Sequence, residues 1–419
     1  MVAVLSRRDY LFNFAVNSLD YAFFSLGLAF ASVNTLLPLF ASRLGASNVQ
    51  IGLIPAVAYL GWSIPALLGG RHSSRLERKL PFILRYTAFE RLPFAGFALV
   101  AFFLAPISSS LALWVFFLLL GVSFFAMGYI GPAWMEMIGK VIHPARTGSY
   151  FATGVGVGAL MGVWGSRLAE KILENYPFAV NFGYCFLLTS LAMAVSFFFL
   201  ALTREPSEPV KTQPGGYFHS LPRILREDRS FLNYLVARVF LGLGFMGGAF
   251  YTVYVLYRFQ VPDGMIAQYN AFLLVSQGLS NLLWGPLGDR RGQKMVLLMG
   301  ASAIIMSNLL AIFSASPWGF YAAFALFGVN YSAISVGGLA ILLDFAPLGE
   351  RSGYVALGSF ISWLPSFFAP LMGGIMADFV GYQAVFWLTL IFNAAGLLWL
   401  FFGVREPKVF ADFAPEERT

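Results

Sequence analysis

GPLGDRRGQK, residues Gly285 to Lys294, sets Arg290, Arg291 and Lys294 in a short loop between two long apolar stretches. A looser copy, GGRHSSRLERK, runs from Gly69 to Lys79 in the first half of the chain. A second pair, HPARTG (His143 to Gly148) and APLGERSG (Ala346 to Gly353), puts a Pro ahead of Arg-x-Gly where the next apolar stretch opens. Working outward from these loops, twelve apolar stretches leave thirteen polar segments, and the odd-numbered segments hold 21 of the 27 Lys and Arg. The even-numbered ones hold Arg43, Arg167, Lys171 and Arg258, while Arg91 and Arg238 lie inside apolar stretches, Arg85 and Arg167, close to a span's end, being counted with the adjoining segments. Basic segments stay on the cytoplasmic face of a membrane. The alternation predicts twelve spans with both termini in the cytoplasm, and a multi-pass protein of the cell membrane.

Composition agrees. The chain is 58% hydrophobic and 11% charged, with 45 Phe, whereas a soluble domain carries about 25% charged residues. The net charge of +7 is accounted for by loops facing anionic headgroups. No basic patch is interleaved with aromatics in the manner of an RNA-binding surface, so a lipid bilayer and not nucleic acid is the expected surroundings. Cys185 is the single cysteine, which excludes a disulfide within the chain. The first apolar stretch, about 30 residues long, exceeds the apolar core of a cleavable signal peptide. His72, His143 and His219 lie in loops without metal-ligand spacing, and no phosphate-cradling loop is present. The sequence therefore gives no reason to expect an enzyme, a cofactor or an ATP-driven pump.

A spanning helix needs roughly 20 apolar residues, and backbone groups in lipid must bond within their own segment. The spans are expected over 10–40, 49–68, 80–104, 111–139, 148–168 and 179–202, then 231–257, 265–287, 295–315, 318–343, 352–377 and 381–404. The longest polar interruption, 203–230, holds Pro206, Pro209 and Pro214. It divides the chain into an N-terminal six-helix bundle (1–202), a cytoplasmic linker (203–230), a C-terminal bundle (231–404) and a cytoplasmic tail (405–419). Leu221, Ile224 and Leu225 in the linker suit a short interfacial helix. Matching loops at matching places argue for duplicated, pseudo-symmetric halves.

The loop at Gly285 resembles the signature of the major facilitator superfamily, with Gly285, Leu287, Asp289, Arg290, Gly292 and Lys294 filling its positions. Pro132-Ala133, then Pro144-x-Arg146-x-Gly148, are similar to the family's junction between the fourth and fifth spans; Asp344, Pro347, Arg351 and Gly353 match it in the second half. The resemblance covers essentially the whole chain. It implies an all-α membrane fold of twelve helices, a substrate site near the bilayer midplane between spans 1, 4, 7 and 10, and a conformational latch formed by Gly285, Asp289, Arg290, Gly292, Lys294 and Arg351. Gly285 would let helices approach closely, Gly292 would permit a tight turn, and Asp289 would pair with Arg290. The first-half loop departs from the pattern, with Ser74 at the Asp position and Glu77 at the second Gly position. The fifth span lacks the Gly-Pro of drug/proton antiporters, and no sugar-porter loop motif is seen.

Charges inside spans are functional candidates, because one at the bilayer centre costs about 3 kcal/mol. Asp20 belongs to a polar or small stripe of Asn13, Asn17, Asp20, Phe24, Gly27, Ala31 and Asn34 on the first span. That stripe must face protein or water. Arg238 lies at similar depth on the seventh span, so the two suit a pair across the halves when the cytoplasmic side closes. Arg238 also suits an anionic substrate or snorkelling to headgroups. Glu90 and Arg91 read as structural within the first half. Glu136 and Lys140 have the i,i+4 spacing of a helical ion pair. Gly154, Gly158 and Gly162 form a small-residue packing stripe. On the tenth span, Tyr331, Ser335 and Gly338 suit a cavity face with Asn330 beside them. Asn17, Asp20, Asn34, Arg238, Asn330 and Tyr331 are thus the expected substrate or coupling residues.

The expected activity is secondary transport of a small molecule by a monomer through alternating access, with protons coupled through Asp20 as one reading. A sensor or accessory protein on the same fold and a lipid flippase remain the alternatives, since fold does not fix function.

Overall fold

The computed structural model describes residues 5–143, 146–208, 225–226, 228–346 and 351–407. The proposed interfacial helix at Leu221 and Ile224, the junction residue Pro347 and the side chain of Arg351 lie outside the described residues. The chain forms α1 (Arg7–Phe30), α2 (Leu36–Arg43), α3 (Asn48–Ser73), α4 (Leu80–Leu99, prolonged by a π turn over Val100–Leu104), α5 (Ser109–Val141), α6 (Thr147–Asn175) and α7 (Val180–Ala201). The second half forms α8 (Arg229–Leu243), a 3-10 turn (Gly247–Phe250), α9 (Tyr251–Phe259), α10 (Asp263–Arg291), α11 (Gln293–Phe313), α12 (Gly319–Phe345), α13 (Arg351–Phe379) and α14 (Tyr382–Gly403). No strand occurs among the described residues.

Local chemistry sets the helix starts. Ser6 with Asp9, and Ser47 with Gln50, form capping boxes that satisfy free N–H groups at the openings of α1 and α3. Ser108 and Asp228 cap α5 and α8 by accepting from Leu111 and Phe231. The first span of each half, expected as one helix, is broken: α1/α2 at 31–35 and α8/α9 at 244–250. The breaks face each other. Thr252 Oγ1 donates to the Asn34 carbonyl at 3.1 Å, and Thr35 Oγ1 donates to Asn270 Oδ1 at 3.0 Å. Polar groups freed by the breaks are thereby satisfied inside protein, as a membrane interior requires.

Within the first half α1 packs on α6 and α7, α3 on α5, and α4 on α5 and α7; within the second, α12 packs on α10 and α11, and α14 on α8 and α11. Two seams join the halves, α6 with α10 and α3 with α13. The second is close: a Cβ on Gly374 would come within 2.6 Å of the α3 backbone at Val49, and one on Gly52 would overlap the Pro370 carbonyl.

Among the described residues nine helices are long and apolar enough to cross a membrane, with α8 and α9 counted as one crossing. The three remaining crossings, α1 with α2, α6 and α10, carry polar residues that bond inside the first half (Asn13, Asn17 and Asp20), meet across a seam (Glu170, Gln268 and Asn270) or line the cavity (Gln277 and Asn281). Their hydropathy is low because their polar faces meet protein and not lipid.

Candidate functional site

Every hydrogen bond or ion pair joining two described residues across the halves lies toward the end opposite the termini. Arg43 pairs with Asp263, Asn48 Nδ2 donates to Asp378 Oδ1 at 2.8 Å, and the Tyr382 hydroxyl donates to Asn48 Oδ1 at 2.5 Å. Deeper in, Gln268 Nε2 donates to Glu170 at 2.8 Å, and Asn270 Nδ2 donates to the Ala29 carbonyl at 3.2 Å and to Ser166 at 3.0 Å. Below this closed end a cavity of about 950 Å³ extends between the halves toward the termini. Tyr21, Ser25 and Asn34 line it from the first span, Tyr59 and Trp62 from α3, Gln277, Asn281 and Gly285 from α10, and Tyr331 and Ser335 from α12. The fourth span supplies only Phe124, and the seventh supplies none of its lining. The central cavity is thus lined chiefly by spans 1, 2, 5, 8 and 10, while spans 4 and 7 line the two side pockets that share residues with it. No charged residue lines this central cavity.

Charge sits in two side pockets. The first, of about 200 Å³, shares Tyr21 with the cavity and is lined by Asp20, Phe24, Thr87, Glu90, Arg91, Met127 and Trp134, among others. Here α1, α4 and α7 bring together a buried cluster. Arg91 Nη2 lies 3.3 Å from Asp20 Oδ1 and donates to Ser196 Oγ at 2.9 Å, and Ser196 in turn donates to Asp20 Oδ1 at 2.5 Å. Arg91 Nη1 donates to Thr87 Oγ1, which donates to Glu90 Oε2 at 2.7 Å; Nη1 itself stands 4.0 Å from that carboxylate oxygen. The guanidinium carbon lies 5.6 Å from the Phe24 ring centroid, a cation–π distance. Asp20 and Glu90 are each 4% exposed and Arg91 is 8% exposed.

The second side pocket, of about 320 Å³, shares Tyr59, Trp62, Tyr331 and Ser335 with the cavity and holds Arg238. Arg238 Nε donates to Ser362 Oγ on α13 at 3.0 Å. Asp20 and Arg238 are thus not partners here. Asp20 is joined to Arg91 and Arg238 to Ser362, each inside its own half; the pair expected when the end bearing the termini closes is not formed in this conformation, in which that end is open.

Asn34 and Tyr331 do line the cavity. Asn17 does not: it is fully buried, donating to the Asn13 carbonyl and accepting from Thr203 Oγ1. Asn330 does not either, since its Nδ2 donates to the Gly300 carbonyl on α11 at 2.9 Å. Both satisfy backbone or side-chain groups within a half. The Asn13-to-Gly27 part of the stripe faces the interior of its own bundle, with Gly27 against Met193, while Ala31 lines the cavity. The Gly154, Gly158 and Gly162 stripe packs on Tyr21, Ser25 and Leu274.

The loop residues also need correction. A Cβ at Gly285 would meet nothing within 4 Å, so it makes no close helix approach in this conformation. Arg290 is exposed and makes no ion pair among the described residues, so it is not joined to Asp289. Gly292 has φ +87°, the turn geometry expected of it. Lys294 Nζ donates to the carbonyls of Phe401 and Val404, at 2.8 and 2.7 Å, closing the end of α14. Glu136 pairs with Lys79 at 3.0 Å and Lys140 with Glu205 at 3.3 Å, replacing the expected Glu136–Lys140 pair. Ser196 and Thr87 were not legible as site residues, because a hydroxyl in an apolar helix usually bonds its own backbone.

A family model described as "Major Facilitator Superfamily" matches residues 3–166 and 265–418. The "Multi-drug resistance efflux pump PmrA" of Streptococcus pneumoniae serotype 4 is 23% identical over 379 residues, covering 87% of this chain and 90% of its own length. The "MFS-type transporter TOXA" of Cochliobolus carbonum is 26% identical over 143 residues, so the match spans only 34% of this chain and 26% of that relative. Among solved structures, a D-xylose-proton symporter superposes with a TM-score of 0.74 at 14% identity, covering 95% of this chain and 99% of that one. A bacterial homologue of the lysosomal transporter Spinster, solved in an inward-facing, unoccupied conformation, gives a TM-score of 0.68 at 14% identity, covering 99% and 100%.

Proposed function

The chain belongs to the major facilitator superfamily, and from that premise we propose that it is a secondary transporter that moves a small organic molecule across the cell membrane and couples the movement to protons. The two halves, 1–202 and 231–404, act as the rocking bodies, and both termini face the cytoplasm. The cavity then opens inward and the Arg43–Asp263 end closes outward. A relative named as a multi-drug resistance efflux pump and a fold neighbour named as a D-xylose-proton symporter support transport of an organic solute.

One observation carries the coupling: two buried carboxyl groups, Asp20 and Glu90, share one guanidinium, Arg91, beside the central cavity. With both ionised the cluster holds an excess negative charge inside a span, where such a charge costs about 3 kcal/mol. With one protonated it is neutral. Ser196 and Thr87 bridge the guanidinium to either carboxyl, so the proton and the ion pair can trade places without leaving a polar group bare. Since α1 carries both Asp20 and the cavity residues Tyr21 and Ser25, a change in this pairing is passed to the wall that substrate touches.

The test is proton movement in pyranine-loaded proteoliposomes challenged with a panel of small organic solutes. At least one solute should move protons with the wild type, and Asp20→Asn should abolish that movement while leaving exchange of the same solute intact. A solute taken up without proton movement, and equally well by Asp20→Asn and Glu90→Gln, contradicts the coupling.

A further inference from the structure

The side pocket around Arg238 has no part in the proton cluster, and its chemistry is of the opposite sign. None of its lining residues is acidic, and Arg238 makes no ion pair among the described residues. Its Nε is spent on Ser362, whereas Nη1 and Nη2 have no hydrogen-bond partner among the described residues. They lie against Gly338, 3.8 to 3.9 Å from where a side chain would begin, so the absence of one leaves the fork open to the pocket. Ser335 and Ser366 flank it, each now donating to its own helix at 2.9 and 3.1 Å and free to turn outward. Trp62, Trp363 and Phe245 supply flat apolar walls.

A cation in a span, unbalanced by protein, is retained at a cost unless something pairs with it. A guanidinium with two free parallel donors matches a carboxylate better than any neutral group. The pocket volume of about 320 Å³ suits one small ligand.

We propose that this pocket is the recognition subsite for the substrate's charge, and that the substrate class is a small organic monoanion, a carboxylate carrying an aromatic or apolar body. The carboxylate sits on Arg238 Nη1 and Nη2, and the body lies between Trp62 and Trp363 toward the central cavity. This deepens the transport reading and rests on it only for the fate of the bound anion.

The experiment uses the full chain in detergent, with benzoate, phenylacetate and indole-3-acetate as probes and their uncharged amides as controls. Binding is read as thermal stabilisation and as quenching of tryptophan fluorescence. At least one carboxylate should bind, its amide should bind about tenfold or more weakly, and Arg238→Gln should lose the same factor, since a charge-assisted pair is stronger than a neutral one. Arg238→Lys keeps the charge without the fork and should fall between, which guards against a folding defect in the glutamine variant. Equal binding of acid and amide, no binding of any carboxylate, or unchanged binding by Arg238→Gln overturns the proposal. Competition by phosphatidylglycerol but by none of the carboxylates assigns the anion to a lipid headgroup and overturns the small-molecule form. A carboxylate that binds through Arg238 but is not exchanged across proteoliposomes supports the subsite and counts against transport alone.

Discussion

Glu205 and Glu406 occupy equivalent places in the two halves, each closing the start of a helix that begins a hairpin in its own bundle. Glu205 accepts from the backbone N–H of Lys79 at 2.8 Å and of Leu80 at 2.7 Å; Glu406 accepts from the backbone N–H of Lys294 at 3.1 Å. Both stand in the same tripeptide, Arg204-Glu205-Pro206 and Arg405-Glu406-Pro407. A carboxylate at a helix N-terminus satisfies free N–H groups and meets the positive end of the helix dipole. The chain end of each bundle is thereby tied to the loop at its middle. Glu205→Ala and Glu406→Ala should each destabilise the purified protein by about 1–2 kcal/mol, read as a lowered unfolding temperature. An unchanged unfolding temperature in both variants would remove the capping role.

The Glu406 carboxyl also gives a pH signature. Burial pushes its pKa above the ordinary carboxylate range, and the hydrogen bond from the Lys294 backbone only partly offsets this. Its folded-state pKa therefore lies above the unfolded value, so folding favours the protonated form. The contribution is fully present below the unfolded pKa and is lost as pH rises through the folded one. The stability of the wild type relative to Glu406→Gln should accordingly fall as pH rises from the acid side through that interval. A difference constant with pH would show that the carboxyl is not so shifted.

Gly292 should be intolerant of any side chain. Its φ of +87° disfavours L residues, and an added Cβ would overlap the Glu406 carboxylate. Gly292→Ala should cost about 1–3 kcal/mol. Adding Glu406→Ala should relieve the overlap but not the backbone strain, so the double variant should be less destabilised than the two losses summed. Simple additivity would mean that the two residues do not meet.

The closed end should be adjustable. Arg43–Asp263 is a partly exposed pair, and such pairs are worth about 0–1 kcal/mol. Asp263→Asn combined with Asp378→Asn should shift the population toward the opposite-facing state by a few-fold at most. A cysteine at Gln277, which lines the cavity, should then label more slowly from the side bearing the termini. Faster or unchanged labelling would contradict closure by these residues. Orientation is tested separately, with a reporter at Gly215 expected inside and one at Ser109 outside.

The architecture was legible because loop charge and span length answer to the bilayer, a one-dimensional constraint written along the chain. The partners of buried charges were not legible, because depth alone does not choose between neighbours. Asp20, Arg91 and Arg238 lie at similar depth in spans that start from the same face, so depth suits Asp20 to either arginine. Arg91 wins because α1 and α4 both pack on α7, whose Ser196 joins the two side chains. Likewise Asn17 and Asn330 share the composition of cavity residues but point into their own bundles. Helical spacing says which residues share a face, and only packing says what that face meets.

The central claim, that Asp20 and Glu90 hold one proton between them against Arg91, is tested most directly by infrared difference spectroscopy of the purified protein as pH is stepped. The account predicts a protonated-carboxyl band that disappears on deprotonation in the wild type, is altered in Asp20→Asn and in Glu90→Gln, and is absent when both are changed. A band that persists unaltered in the double variant, or a wild type with no such band at any pH at which it is folded, would contradict it.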